Sequence, residues 1–397
     1  MIRKPFVLKL YDAATMQRWN DKIRTVEFTE LDKQAHKMII AFLFAKLEET
    51  KGNKIDWIRI IEGGLFEFLQ RLVVTDLKPQ LLDAIKKNPE DYRRLNEWAL
   101  GELEPIVSPI GPDFYERFKK YLLSNTEDIN TLILGAAHFW ATAWEVDILE
   151  AANKRDDEFK AIKTHIEQEK VNFYEKLEGT RDLTLYEKYQ KFVDLCGLLR
   201  FQIRWSQAYR IPRTSVLGHM LIVAMLSYLV SVEAGCCETR KVNNYFTGLF
   251  HDLPEVLTRD VVTPVKTSIE GLDALIKDYE MKEMETRLFP LLPKEFAAGI
   301  KVFTEDEFSD IAFTEGEYHI CEFEKICEDY NDDRYNARDG SIVKAADDLA
   351  AFVEAYLAVR NGIRNEVFDE AKSKIREKYE GRPLHGVRLN DLYADFD

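Results

Sequence analysis

The chain has 397 residues, of which 46% are hydrophobic, with a formal net charge of −15 and five cysteines. That length and apolar content suffice for two domains with real cores, and the acidity argues against a general binder of nucleic acid or anionic membrane. The opening Met1-Ile-Arg-Lys-Pro5 runs too soon into polar residues to be a signal peptide, and the longest apolar run, Met220 to Val232, is too short to span a bilayer, so a cytoplasmic protein is expected. The cysteines (Cys196, Cys236, Cys237, Cys321 and Cys327) lack zinc-ribbon spacing and read as reduced thiols.

From residue 13 to about 177 the periodicity is helical almost throughout, and an all-α fold is expected. The stretches from His36 and from Trp57 read as buried or amphipathic helices. Thr29 and Thr214-Ser215 supply N-caps ahead of the helices carrying His36 and His219.

The two halves of the chain share one pattern. Arg18-Trp19 is echoed by Arg204-Trp205, His36 by His219, and Gly64-Leu-Phe-Glu67-Phe68 by Gly248-Leu-Phe-His251-Asp252, with Asp76 falling on Asp260. Leu134-Gly-Ala-Ala-His138 is matched by Val343-Lys-Ala-Ala-Asp347. A tandem arrangement follows, with one helical domain over residues 1–180 and a second over 181–397, joined in the charged stretch about Lys170 to Leu185.

The halves differ in chemistry. The second concentrates His251, Asp252, Glu255 and Asp260 on one short segment, and Pro254 ends or bends the helix there. The first has Phe68 for Asp252, Arg71 for Glu255 and His138 for Asp347; phenylalanine ligates nothing and arginine is no base. A residual site from His36, Glu67 and His138 is conceivable there. Asp347 rather than Asp348 is favoured as the counterpart of His138, and His165, His319 and His385, in polar stretches, are expected at the surface.

Arg204-Trp205, Gly218-His219, the segment Phe250 to Lys266, and Val343 to Asp347 together resemble, in order and setting, the HD-domain metal-dependent phosphohydrolases, and among them the bacterial 5′-deoxynucleotidases. The resemblance implies two tandem HD-like domains, the first degenerate and the second with an intact metal site. It implies His219, His251, Asp252 and Asp347 as ligands of a divalent ion, for which two imidazoles and two carboxylates suit Co, Mn, Fe, Zn or Mg. It further implies Glu255 as the residue that orients or deprotonates water. Arg204, Trp205, Asp252, Asp260 and Thr263 would contact a small nucleotide substrate. Gly218 departs from the acidic residue usual there.

The implied activity is phosphate release from (deoxy)nucleoside 5′-monophosphates. A non-catalytic nucleotide sensor and a phosphodiesterase acting on another nucleotide are the rival readings. Neither nucleic acid nor a membrane is an expected partner, whereas a homodimer, or an intramolecular pseudo-dimer made by the two halves, is.

Overall fold

Two long helices buried on nearly every side set the architecture. In the computed structural model, which describes residues 1–75, 77, 79–124, 126–259, 269–381 and 383–397, the helices that matter here are α1 (Lys4–Asp12), α2 (Glu30–Thr50), α3 (Trp57–Val73), α4 (Ile129–Asn153), α5 (Val216–Glu233), α6 (Glu238–Phe250) and α7 (Gly340–Arg360). Helices α2 and α5 are buried nearly all round; α5 is apolar on every face, as such a helix must be, whereas α2 also buries charged residues such as Asp32, Lys33 and Lys37. They pack on each other at the centre, α2 flanked by α3 and α4, and α5 by α6 and α7. By length and composition α5 could cross a membrane, with a mean hydropathy of 1.8, but 89% of it is buried inside the protein.

The two central helices begin alike. Thr29 caps α2 by accepting the Asp32 N–H, and Ser215 caps α5 by accepting the Gly218 N–H. Ahead of each cap the chain doubles back: Arg18 N–H donates to the Phe28 carbonyl at 2.8 Å, and Arg204 N–H to the Thr214 carbonyl at 3.0 Å. Trp19 and Trp205 both adopt positive φ, 56° and 59°.

This register aligns Thr29 with Ser215, and therefore Lys33, not His36, with His219. His36 stands three residues further along α2, nearly one turn on, which is why spacing alone confuses the two. It is fully buried, with Nε2 2.9 Å from the Val193 carbonyl and its ring edge-on to Trp144. The set His36, Glu67 and His138 is therefore not assembled as a metal site.

One hydrophobic core runs from Ile2 to Phe396 through both halves. Chain ends cross between them: Tyr11 of α1 donates to the Ala350 carbonyl of α7 at 3.0 Å, and Arg3 pairs with Asp395. The charged stretch near residue 180 is helical and docked, with the Gly179 N–H donating to Glu48 at 2.7 Å.

Two details depart from expectation. A hairpin, β1 (Ile311–Thr314) and β2 (Glu317–Ile320), pairs antiparallel with Ile311 opposite Ile320; its turn residues Glu315 and Gly316 both have positive φ, the conformation that tight hairpins need. His385 is not at the surface. Its side chain is 2% exposed, stacks on Phe323 at 4.2 Å and lies 3.4 Å from buried Asp339. All five cysteines are free.

Candidate metal centre

Three chain segments converge at one end of the second half. His219 lies in the first turn of α5, His251 immediately follows α6, and Asp347 lies in the second turn of α7. Gly248 permits the convergence: a Cβ there would stand 2.8 Å from the Ala224 backbone, so only glycine lets α6 approach α5 this closely.

The donor atoms of His219, His251 and Asp347 lie within 4.8 Å of one another. His219 Nε2 is 3.1 Å from Asp347 Oδ1 and 3.9 Å from Asp252 Oδ2, and His251 Nε2 is 3.2 Å from Asp252 Oδ2. All four groups proposed from sequence as ligands thus meet. Asp348 does not join them: it accepts from Tyr379 Oη at 2.9 Å and pairs with Lys378 and Lys344, each at 3.1 Å.

Buried charges of both signs shift one another at this centre. Burial pushes His251 toward the neutral form, but the Asp252 carboxylate outweighs it and raises the imidazole to about 9. Burial likewise opposes ionisation of Asp252 and Asp347; His251 nonetheless holds Asp252 below the carboxylate range, and Lys344, 2.8 Å from Asp347, does the same for that residue.

The donor set fits a divalent ion. His251 Nδ1 donates to the Gly248 carbonyl at 2.8 Å, which fixes the tautomer and aims Nε2 at the cluster, where that atom is buried and makes no hydrogen bond among the described residues. Two imidazole nitrogens and two carboxylates converging in this way match the borderline divalent metals.

Arg204 reaches the same place, its Nη1 3.5 Å from Asp252 Oδ2. It is held from behind by Glu354, a fully buried carboxylate that sequence reasoning missed. Glu354 accepts from Arg204 Nε at 3.3 Å, Trp205 Nε1 at 2.7 Å and Thr214 Oγ1 at 2.6 Å. Its Oε1 also lies 3.7 Å from both Arg210 Nη2 and His219 Nδ1. Burial opposes its ionisation, yet Arg210 and Arg204 keep it charged well below the ordinary range. The signal was present in sequence: Glu354 stands seven residues after Asp347, on the same helix face, as Glu145 does after His138. Glu145 holds Trp19 Nε1 at 2.8 Å and Arg18 Nε at 2.9 Å.

The remaining expected residues divide. Trp205 has its indole N–H committed to Glu354 and its ring edge-on to Phe368, so it braces Arg204 from the side. Glu255 is buried at the start of a short helix one turn beyond Asp252, its N–H donating to the Asp252 carbonyl at 3.1 Å. Asp260 and Thr263, and Asp76 in the first half, lie outside the described residues. Gly218 has a physical reason: a Cβ there would meet Leu31 at 2.9 Å and the Asp32 carboxylate at 3.0 Å. The Asp32 carboxylate beside position 218 accepts from Ser215 Oγ.

Comparison with known proteins finds relatives of the second half of the chain. A family model described as an HD domain matches residues 196–376. The 5′-deoxynucleotidase of Shewanella oneidensis is 28% identical over 188 residues, covering 47% of this chain and 82% of the relative. That of Pasteurella multocida is 24% identical over 199 residues (47% and 83%), and that of Photobacterium profundum 25% over 216 residues (53% and 96%). Residues 196–376 span all four converging side chains and match the HD domain, and over that half the chain resembles the 5′-deoxynucleotidases.

Proposed function

We propose that the chain is a divalent-metal-dependent phosphomonoesterase that releases phosphate from deoxynucleoside 5′-monophosphates. The observation that carries this reading is the meeting of His219, His251, Asp252 and Asp347 beside the Arg204 guanidinium. The substrate class is supported by the names of the relatives.

In this reading His219, His251, Asp252 and Asp347 hold the ion. When bound, the ion polarises the phosphoryl group and lowers the pKa of a water molecule. Arg204 binds the non-bridging phosphate oxygens; its planar fork suits them, and Glu354 fixes its Nε so that the Nη edge faces the site. Glu255 takes the proton of the attacking water onto its carboxylate, a contribution of about 10²–10⁴-fold. Trp205 keeps Arg204 in place, Lys344 keeps Asp347 ionised, and Asp260 and Thr263 contact the sugar and phosphate. The two halves act as an intramolecular pseudo-dimer with the first as a degenerate HD-like copy, a reading supported by their matched caps, positive-φ tryptophans and buried glutamates. We place the protein in the cytoplasm. Phosphate release from a nucleotide panel by metal-stripped and metal-loaded protein tests the proposal.

A further inference from the structure

The counterpart of the metal centre in the first half has the opposite charge. Where the second half has His219, His251, Asp252, Glu255 and Asp347, the corresponding positions hold Lys33, Glu67, Phe68, Arg71 and His138. Three carboxylates become one, and two cations enter.

Of these, Lys33 and His138 meet directly, and Glu67 and Arg71 are each held by a charged residue of α2. Lys33 is fully buried and its Nζ donates to His138 Nδ1 at 2.5 Å, mirroring the contact of His219 with Asp347. Lys37 pairs with Glu67, whose other oxygen accepts from Tyr121 Oη at 2.8 Å. Arg71 Nε lies 3.5 Å and Arg18 Nη1 2.9 Å from the same Glu30 oxygen, so one carboxylate serves two guanidinium groups. Among the described residues Lys33 has no carboxylate at ion-pair distance. The cluster is open at one side, because His138 is exposed to solvent although it is closely surrounded, and Arg71 and Glu67 are partly exposed.

A buried lysine amine whose nearest partner is an imidazole carries its charge only at a cost unless an anion completes it. Burial holds Lys33 well below the ordinary lysine range; Glu30 and Glu145 act against that, while Arg18 and Lys37 reinforce it. The close surroundings of the His138 ring, with the same cations, hold it well below the ordinary imidazole range. An arriving dianion would restore the ammonium by drawing in a proton. Lysine and arginine, with a neutral imidazole beside them, are phosphate-binding chemistry, and neither the missing Asp252 counterpart nor Arg71 at the Glu255 position leaves means to hydrolyse what is bound.

We infer that the cluster of Lys33, Lys37, Arg71 and His138 is a second, non-hydrolytic site for a phosphate-bearing anion, either inorganic phosphate or the phosphate of a nucleotide. It needs no metal and does not depend on turnover at the HD centre.

The test is isothermal titration calorimetry on the full, metal-stripped chain, with inorganic phosphate, dAMP and deoxyadenosine as separate probes, in two buffers of different ionisation enthalpy. One phosphate should bind per chain, with proton uptake. Lys33→Met and Arg71→Gln should each weaken it at least tenfold, Lys33→Met should abolish the proton uptake, and Arg204→Gln should leave both unchanged. Arg71 is partly exposed, so its variant stands if Lys33→Met fails to fold; circular dichroism reports which does. Tighter binding of dAMP than of phosphate, with deoxyadenosine silent, assigns a nucleotide, and equal binding assigns phosphate alone. No binding to the wild type, or binding lost in Arg204→Gln and kept in Arg71→Gln, overturns the inference.

Discussion

Asp347 and Glu354 stand seven residues apart on one face of α7, the first 3.1 Å from His219 Nε2 and the second 3.7 Å from its Nδ1. One helix face therefore bounds both sides of the same imidazole. It also positions Arg204 and Trp205, which come from a loop about 150 residues earlier.

Replacing Glu354 by Gln leaves Arg210 buried without its charge partner and Arg204 with Asp252 alone, 3.5 Å away. Breaking a buried pair from one side costs about 3–5 kcal/mol, so the variant should melt well below the wild type near neutral pH. The gap should depend on pH. Glu354 has a depressed pKa in the folded protein, so its contribution is present above its unfolded value of about 4.3 and is lost as the pH falls through the folded value. Thermal melts of both proteins at neutral and acid pH check this; a gap that does not narrow in acid contradicts it.

Asp347→Asn should abolish stoichiometric binding of the divalent ion, whereas Asp348→Asn should retain it, because Asp348 is occupied by Lys378 and Tyr379. Metal content after dialysis against Mn²⁺ or Co²⁺ distinguishes the two directly. Loss in both, or in neither, would contradict the ligand set.

In metal-free protein His251 is raised to about 9, above its unfolded value of about 6.5. Its stabilising contribution is therefore fully present below about 6.5 and is lost as the pH rises through about 9. Metal binding needs the neutral imidazole, so at pH 7 it should release a proton, and affinity should rise with pH up to about 9. Calorimetry in buffers of different ionisation enthalpy counts that proton, and His251→Gln should remove it.

Gly248→Ala would force a Cβ to 2.8 Å from the Ala224 backbone. Overpacking of this kind costs about 1–3 kcal/mol. Because the strain separates α5 from α6, it should lower metal affinity as well as the melting temperature. A variant that melts lower but binds metal normally would show that the contact is structural only.

Much of this was legible in the sequence because it is local. The helices at Trp57 and Val216, the caps at Thr29 and Ser215, and the grouping of His219, His251, Asp252 and Asp347 follow from short-range pattern and from the ordered motif. What was not legible depends on register and on contacts distant in sequence. The His36 pairing failed because two positions three apart share a helix face, and only the cap at Thr29 decides between them. Glu354 was missed because a glutamate in an alanine-rich helix has no local mark; its role comes from Arg204 and Trp205. His385 lies in a polar segment, yet Phe323 and Asp339 bury it.

The measurement that bears most directly on the central claim is phosphate release from ribo- and deoxyribonucleoside 5′-monophosphates. It uses metal-stripped protein given Co²⁺, Mn²⁺, Mg²⁺ or Zn²⁺, with Asp252→Ala and Glu255→Gln alongside. Metal-dependent release from the deoxy substrates is predicted, abolished in Asp252→Ala and reduced by about 10²–10⁴-fold in Glu255→Gln. Stoichiometric metal binding with no phosphate released from any nucleotide would contradict the phosphomonoesterase.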